Sequence, residues 1–257
     1  MTRLKDLKDI ALFLGIEPKI LSYILYVLPK EKKYFKFEIQ KKNKKTREIS
    51  APCVALKNLQ KKLNEKLQPI YWENYLKRKN YVYGFLDGQN IVDNAKIHLK
   101  NRYVVNIDLE NFFDTITFPR VRGLLMSYPF ELPPKAATIL AQILTFDFKL
   151  PQGAPSSPII SNFICAKLDG ELWRFAQKVH CKYSRFADDM TFSTRKDSVL
   201  SQIGNLSDFD FKISPKLSSI IVENGFKINL SKTRCMTRYN RQEVTGLTVN
   251  DTVVDEH

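Results

Sequence analysis

Residues 183–193, YSRFADDMTFS, alternate apolar and polar positions on either side of an aspartate pair. Period-two alternation around two adjacent acids reads as a β-hairpin with Asp188 and Asp189 at its turn. A second run, YVVNIDL at 103–109, is rich in β-branched residues and brings an acid, Asp108, to the end of another strand. An aspartate pair by itself is most often a plain turn or a helix cap. Two such aspartates with a third at the end of another strand can hold two divalent cations about 3.5–4 Å apart. Oxygen-only ligation favours magnesium, so Asp108, Asp188 and Asp189 are the candidate ligands of two Mg2+ ions.

The rest of the chain supplies a scaffold for such a site. Apolar positions at helical spacing run from Leu4 to Leu28, with Gly15–Pro18 as a break and Pro29 as a stop, which predicts two short helices. YFKFEIQ and TREISAP then alternate as strands around the basic turn KKNKK. Helical spacing returns over Leu56–Leu76, after Pro119, and again from Ile159 to Val179. No repeat, low-complexity tract or long linker divides the 257 residues, and 44% apolar residues with 12% aromatics are enough for a sizeable core.

Charge and cysteine usage narrow the function classes. The net charge is +14, and residues 1–100 hold 22 Lys and Arg against 10 Asp and Glu. A basic half of this kind suits a polyanion such as nucleic acid, although a solvated surface would look the same. Cys53, Cys165, Cys181 and Cys235 are scattered without zinc-site spacing, which argues against both a zinc site and a disulfide framework. The N-terminus lacks an apolar signal core, and no stretch reaches the roughly 18 apolar residues of a membrane span. A cytoplasmic protein that does not engage a membrane is the expectation.

Five segments in order resemble the reverse transcriptases: NIDLENFFDTI (106–116), LPQGAPSSPIISN (150–162), YSRFADDMTFS (183–193), GFKINLSKTR (225–234) and RQEVTGLTVN (241–250). Two further patterns resemble the bacterial retron members. These are NAxxH at 94–98, carrying Asn94 and His98, and the triplet Val244, Thr245 and Gly246. The resemblance implies an α+β right-hand polymerase fold, with mainly helical fingers carrying a β-hairpin and an antiparallel-sheet palm, the thumb being largely absent. It assigns 1–101 to fingers with N-terminal helices, 102–240 to palm with inserted fingers helices, and 241–257 to the primer grip and the start of the thumb. Only seven residues follow Asn250, too few for a helical thumb, so truncation of a longer protein is expected.

The resemblance also implies roles. One cation would activate the attacking primer hydroxyl and the other would neutralise charge on the triphosphate. Lys232 matches the lysine that protonates the departing pyrophosphate, against the alternative of a merely exposed lysine. Arg47 is expected on the triphosphate, since a guanidinium fork suits phosphate better than an ammonium, with Lys41, Lys42, Lys44 and Lys45 as a looser charge cloud. Phe113 is expected to occupy the space of a ribose 2′-hydroxyl, against the alternative that Phe112 and Phe113 are both core, since consecutive residues on extended backbone face opposite ways and one must be inside. Gln152 and Gly153 are expected against the incoming dNTP, where glycine permits close approach. Asn94 and His98 share a helix face, from which they either hydrogen-bond the fold or, with Val244, Thr245 and Gly246, read an RNA.

Phe186 stands where the family has tyrosine, which keeps a packing surface but drops a hydroxyl. The retron resemblance implies a cognate structured noncoding RNA copied into DNA through a 2′–5′ branch, dNTPs as substrates, an effector or toxin encoded nearby, and anti-phage defence. The alternatives are another bacterial reverse transcriptase, group II intron-like or defence-associated, and a non-catalytic RNA-binding scaffold.

Overall fold

A computed structural model describes residues 4–40, 46–77, 80–207 and 210–250. Among them the first elements are α1 (Leu7–Phe13), α2 (Pro18–Ser22), α3 (Lys30–Lys33), β1 (Tyr34–Gln40), β2 (Thr46–Pro52), α4 (Val54–Tyr71) and α5 (Ile91–Ile97). Next come β3 (Tyr103–Asp108), α6 (Phe112–Thr115), α7 (Phe118–Met126), α8 (Pro134–Leu144), α9 (Ser157–Val179), β4 (Lys182–Phe186) and β5 (Asp189–Thr194). The last are α10 (Asp197–Ile203), β6 (Gly204–Leu206), β7 (Phe211–Ile213), α11 (Pro215–Glu223), β8 (Arg234–Thr237), β9 (Glu243–Val244) and β10 (Leu247–Thr248). The chain forms two compact units, Met1–Asn74 with Phe113–Ile164, and Tyr75–Phe112 with Cys165–His257.

The first unit is a helical layer with one hairpin. Asp6 caps α1 by accepting from the Lys8 and Asp9 amides, and Pro18 opens α2, as Pro does at a first helical position. Leu56, Leu59, Leu63, Leu67 and Tyr71 form the buried stripe of α4. Buried Gln60 in that stripe donates from Nε2 to Tyr34 Oη (2.7 Å) and to the Ile143 carbonyl (2.8 Å), tying α4 to β1 and α8. β1 and β2 pair antiparallel with Ile39 opposite Arg47 and Phe37 opposite Ile49. Strand alternation therefore sets Phe35, Phe37 and Ile39 on one face with Arg47 and Ile49. The hairpin tip, with Lys41, Lys42, Lys44 and Lys45, lies outside the described residues.

The second unit is built on an antiparallel sheet of order β4-β5-β3-β8 among the described residues. Its register sets Asp108 opposite Asp189, Asn106 opposite Thr191 and Val104 opposite Ser193 on one face. Val105, Ile107, Tyr183, Arg185, Met190 and Phe192 point to the other face and are buried. α9 covers that side, with Phe175 edge-on to Phe192 at 6.3 Å and Tyr183 against Phe192 at 4.9 Å. On the carboxylate face, away from the acids, Ala95, Val104, Met236, Val244, Leu247 and Val249 close a smaller core. No single described helix is long and apolar enough to cross a membrane. The bent pair Leu7–Phe13 and Pro18–Val27 passes that test only jointly, and its Ile10, Ala11, Leu21 and Ile24 are buried within the first unit.

Candidate active site

The second unit assembles the acids as the hairpin pattern requires. β4 and β5 are joined by only Ala187 and Asp188, and Ala187 takes a positive φ of 56° to close the turn. The Leu109 amide donates to the Asp188 carbonyl (3.1 Å), pinning the turn to the end of β3. Asp108 is 6% exposed. Its carboxylate accepts from Lys232 Nζ at Oδ2 (2.8 Å) and from Asn229 Nδ2 at Oδ1 (3.0 Å), while its carbonyl accepts from the Asn229 amide (2.8 Å). Asn229, three residues before Lys232 in GFKINLSKTR, is a site residue that the sequence reading missed; its place in that motif was the available signal.

Electrostatics follow from the crowding. Burial among protein atoms and then the like charges of Asp188 and Asp108 push Asp189 up to about 7, against the pull of Lys232 and Arg234. Asp189 is itself open to solvent, which weakens the burial contribution and leaves the like-charge repulsion as the robust cause. Burial draws the Lys232 pKa down, but the Asp108 hydrogen bond and the three carboxylate charges more than offset it, so its net shift is upward and it stays protonated at neutral pH.

Three carboxylates with mutual repulsion are a donor set suited to a hard divalent cation. Among the described residues no three His, Cys, Asp or Glu side chains converge closely enough to hold a metal ion, and the Asp108 carboxylate is engaged by Lys232 and Asn229.

The residues expected at the nucleotide lie in the first unit. Arg47 is exposed on β2. Gln152 accepts the Ser50 amide through its carbonyl (2.7 Å), so the LPQGAPSS loop is fastened to β2. Gly153 has φ +120°, and a Cβ there would lie 2.9 Å from Ile49 Cγ2 and 3.0 Å from the Ser50 carbonyl oxygen. The close approach that demands glycine is thus made by β2 itself. Phe112 is 3% exposed and stacks on Phe226 at 5.7 Å, whereas Phe113 is half-buried. The two lie on a short helix, α6, and not on an extended strand. Phe186 packs its ring on Phe85 at 6.3 Å.

Asn94 and His98 hydrogen-bond the fold, one of the two alternatives their spacing left open. Both are buried, at 1% and 0% exposure, and so is Val244 at 0%, so in this structure the three side chains face the protein interior. Ser184 Oγ donates to Asn94 Oδ1 (2.5 Å) and so has only its lone pairs left for His98 Nε2 at 2.8 Å. The imidazole therefore carries its proton on Nε2, and Nδ1 accepts from Ser193 Oγ (2.7 Å). Burial and then the charge of Lys182 push the His98 pKa down to about 3, consistent with this neutral form. The ring thus bridges β4 and β5, and Asn94 Nδ2 reaches Thr245 Oγ1 at 3.5 Å. Thr245 and Gly246, at φ +50° and +88°, are the two central residues of the β9–β10 turn, a type I′ hairpin geometry. Of the five residues expected at RNA, these two retain surface.

Comparison with known proteins fits this geometry. Residues 39–250 match the family described as reverse transcriptase (RNA-dependent DNA polymerase). The chain is 31% identical over 266 residues to the retron Mx65 reverse transcriptase of Myxococcus xanthus, covering 96% of this chain and 58% of that protein. It is 30% identical over 247 residues to the retron Ec86 reverse transcriptase of Escherichia coli, covering 96% and 72%. It is also 30% identical over 252 residues to the retron Se72 reverse transcriptase of Salmonella heidelberg, covering 96% and 62%. The chain therefore spans less than two thirds of the length of the Mx65 and Se72 proteins. A structure of Candida albicans telomerase in complex with a TWJ fragment of telomeric RNA superposes with TM-score 0.59 at 12% identity, over 85% of this chain and 45% of that one. Apo telomerase of Candida tropicalis truncated from its C-terminal domain gives 0.58 at 13%, over 91% and 56%. At such identities the likeness is one of fold, the α+β right-hand polymerase architecture. By the family match and the shared length with Ec86, this chain belongs to the reverse transcriptase (RNA-dependent DNA polymerase) family, among the retron reverse transcriptases.

Proposed function

We propose that this chain synthesises DNA on an RNA template, with the first unit acting as fingers and the second as palm. Asp108, Asp188 and Asp189 hold two Mg2+ ions in this reading. When bound, the ions supply Lewis-acid activation of the primer hydroxyl and neutralise the triphosphate. The observation that carries the proposal is the direct cross-strand pairing of Asp108 with Asp189 beside the turn bearing Asp188.

Lys232, protonated and 53% exposed at its side chain, holds a proton that it can give to the departing pyrophosphate, a general-acid role typically worth about 10²–10⁴-fold. In the first unit, Arg47 offers a guanidinium fork to phosphate, and the loop of Gln152 and Gly153 supports the incoming dNTP. Phe113 excludes a 2′-hydroxyl and so selects deoxynucleotides.

The finer proposal is retron-type synthesis. A cognate structured noncoding RNA is copied into single-stranded DNA that stays joined to it through a 2′–5′ branch, in the cytoplasm. An effector protein encoded nearby completes an anti-phage defence. The names of the curated relatives and the NAxxH and Val-Thr-Gly patterns support this, and an RNA accompanies the telomerase of one structural relative. Purifying the whole protein from cells carrying its native genomic neighbourhood, then sequencing the bound nucleic acid, tests it. Covalently joined RNA and DNA, with DNA released by a debranching enzyme, is the expected result. DNA with a free 5′ end or an ordinary 3′–5′ primer contradicts the retron part and leaves the polymerase; RNA without DNA points to a scaffold.

A further inference from the structure

The catalytic turn is gripped from inside the protein by a side chain outside the chemistry above. Arg185 and Asp169 are both 0% exposed, on β4 and α9. Arg185 donates from Nε to Asp169 Oδ1 and from Nη2 to Asp169 Oδ2, each at 2.7 Å, and Tyr183 Oη donates to the same Oδ1 at 2.8 Å. Arg185 Nη1 then reaches forward to the Ala187 carbonyl at 2.9 Å. Ala187 is confined on its amide side too, because a Cβ placed on Gly84 would lie 2.5 Å from the Ala187 nitrogen. The strand-like segment before Gly84 is registered on β4 by Arg185 N to Tyr81 O (2.8 Å) and Tyr83 N to Arg185 O (2.9 Å).

A buried ion pair of this kind is a poor device for stability, since apolar residues of similar volume do as well or better in its place. What it does provide is a fixed donor. A two-residue turn with an alanine in the left-handed region does not hold itself, because that backbone state is unfavourable for an L-residue. The Ala187 carbonyl belongs to the peptide group that carries the Asp188 amide, so its orientation sets where the Asp188 side chain leaves the turn. Arg185 lies on the face opposite the carboxylates, so it acts without touching what they bind.

We infer that Arg185, braced by Asp169 and backed by Gly84, is the positioning residue of the catalytic turn, fixing the Ala187–Asp188 peptide and thereby the direction of the Asp188 carboxylate. The inference rests on the reading of Asp188 as a metal ligand, and Asp188→Asn assayed in parallel tests that reading separately.

Two replacements run together make the test. Arg185→Met with Asp169→Leu removes the pair while keeping volume, and Arg185→Lys keeps the charge but loses the fork. In each, hydrogen exchange of the metal-free protein is read at amides 186–190, where about tenfold faster exchange is expected with the rest of the fold unchanged. Mn2+ binding followed by electron paramagnetic resonance should weaken about 10- to 100-fold, the usual effect of losing a group that orients a ligand. Primer extension should lose about 10²-fold in kcat with little change in KM for dNTP, as misplacement of a reacting group does. Wild-type exchange, Mn2+ affinity and kcat in a folded variant would overturn the inference. So would an activity loss that only follows the folded fraction.

Discussion

Asp108 and Asp189 stand directly opposite each other across the paired strands β3 and β5. Like charges in that position are destabilising. Lys232, paired with Asp108 at 2.8 Å, offsets part of the repulsion and a bound cation would relieve more, so the site should trade stability for function. Asp189→Asn is expected to raise the melting temperature of the metal-free protein and to remove the stabilisation that Mg2+ gives the wild type. Thermal melts with EDTA and with Mg2+ check this; a variant that melts lower in EDTA and still responds to Mg2+ contradicts it.

His98 links pH to stability with a definite sign. In the unfolded chain it takes a proton below about 6.5, but in the fold its pKa of about 3 keeps it neutral between Ser184 and Ser193. Between pH 6.5 and 3 the unfolded state binds the extra proton, so stability falls as pH falls, by at most about 1.4 kcal/mol per pH unit from this group. Urea unfolding of metal-free protein from pH 6.5 to 4.5 should show that slope reduced by nearly one proton in His98→Gln. Equal slopes in the two proteins would remove the histidine from the account.

Much of this was legible in the sequence, and the failures have local causes. The hairpins β1–β2 and β4–β5, the strand β3 and the helix α9 follow from alternation, β-branched composition or helical spacing, although β1 buries only Tyr34 and β3 is buried on both faces. Asn94 and His98 were ambiguous because spacing places two residues on one helix face without saying whether that face meets solvent or a sheet. Here it meets Ser184 and Ser193, polar residues that read as exposed positions of a strand. Asp169 gave no signal, since one acid in a helix is ordinarily solvated; its partner is 16 positions away and is found only in the fold.

Gly153→Ala should be costly for a reason unrelated to chemistry. The residue sits at φ +120°, and its added carbon meets the Ser50 carbonyl at 3.0 Å. A loss of about 1–3 kcal/mol is expected by denaturant unfolding, with a raised KM for dNTP as the loop leaves β2. A variant as stable as wild type would show that β2 does not confine this loop.

Phe113 is half-buried while Phe112 is core. Phe113→Ala should therefore fold and should incorporate ribonucleotides more readily, by roughly 10-fold or more if the ring is the barrier to the 2′-hydroxyl, one such contact being worth 1–3 kcal/mol. Competition between dATP and ATP in single-nucleotide extension reads this directly. Unchanged discrimination in folded protein returns Phe113 to a packing role.

The most direct measurement of the central claim is single-turnover primer extension on an RNA template with the whole protein and its Asp188→Asn variant, alongside RNA affinity for both. The account predicts extension reduced at least about 10²-fold, because a charge on the reacting centre is lost, with RNA affinity unchanged because the basic surface is untouched. Extension by the variant at more than a few per cent of the wild-type rate would contradict it.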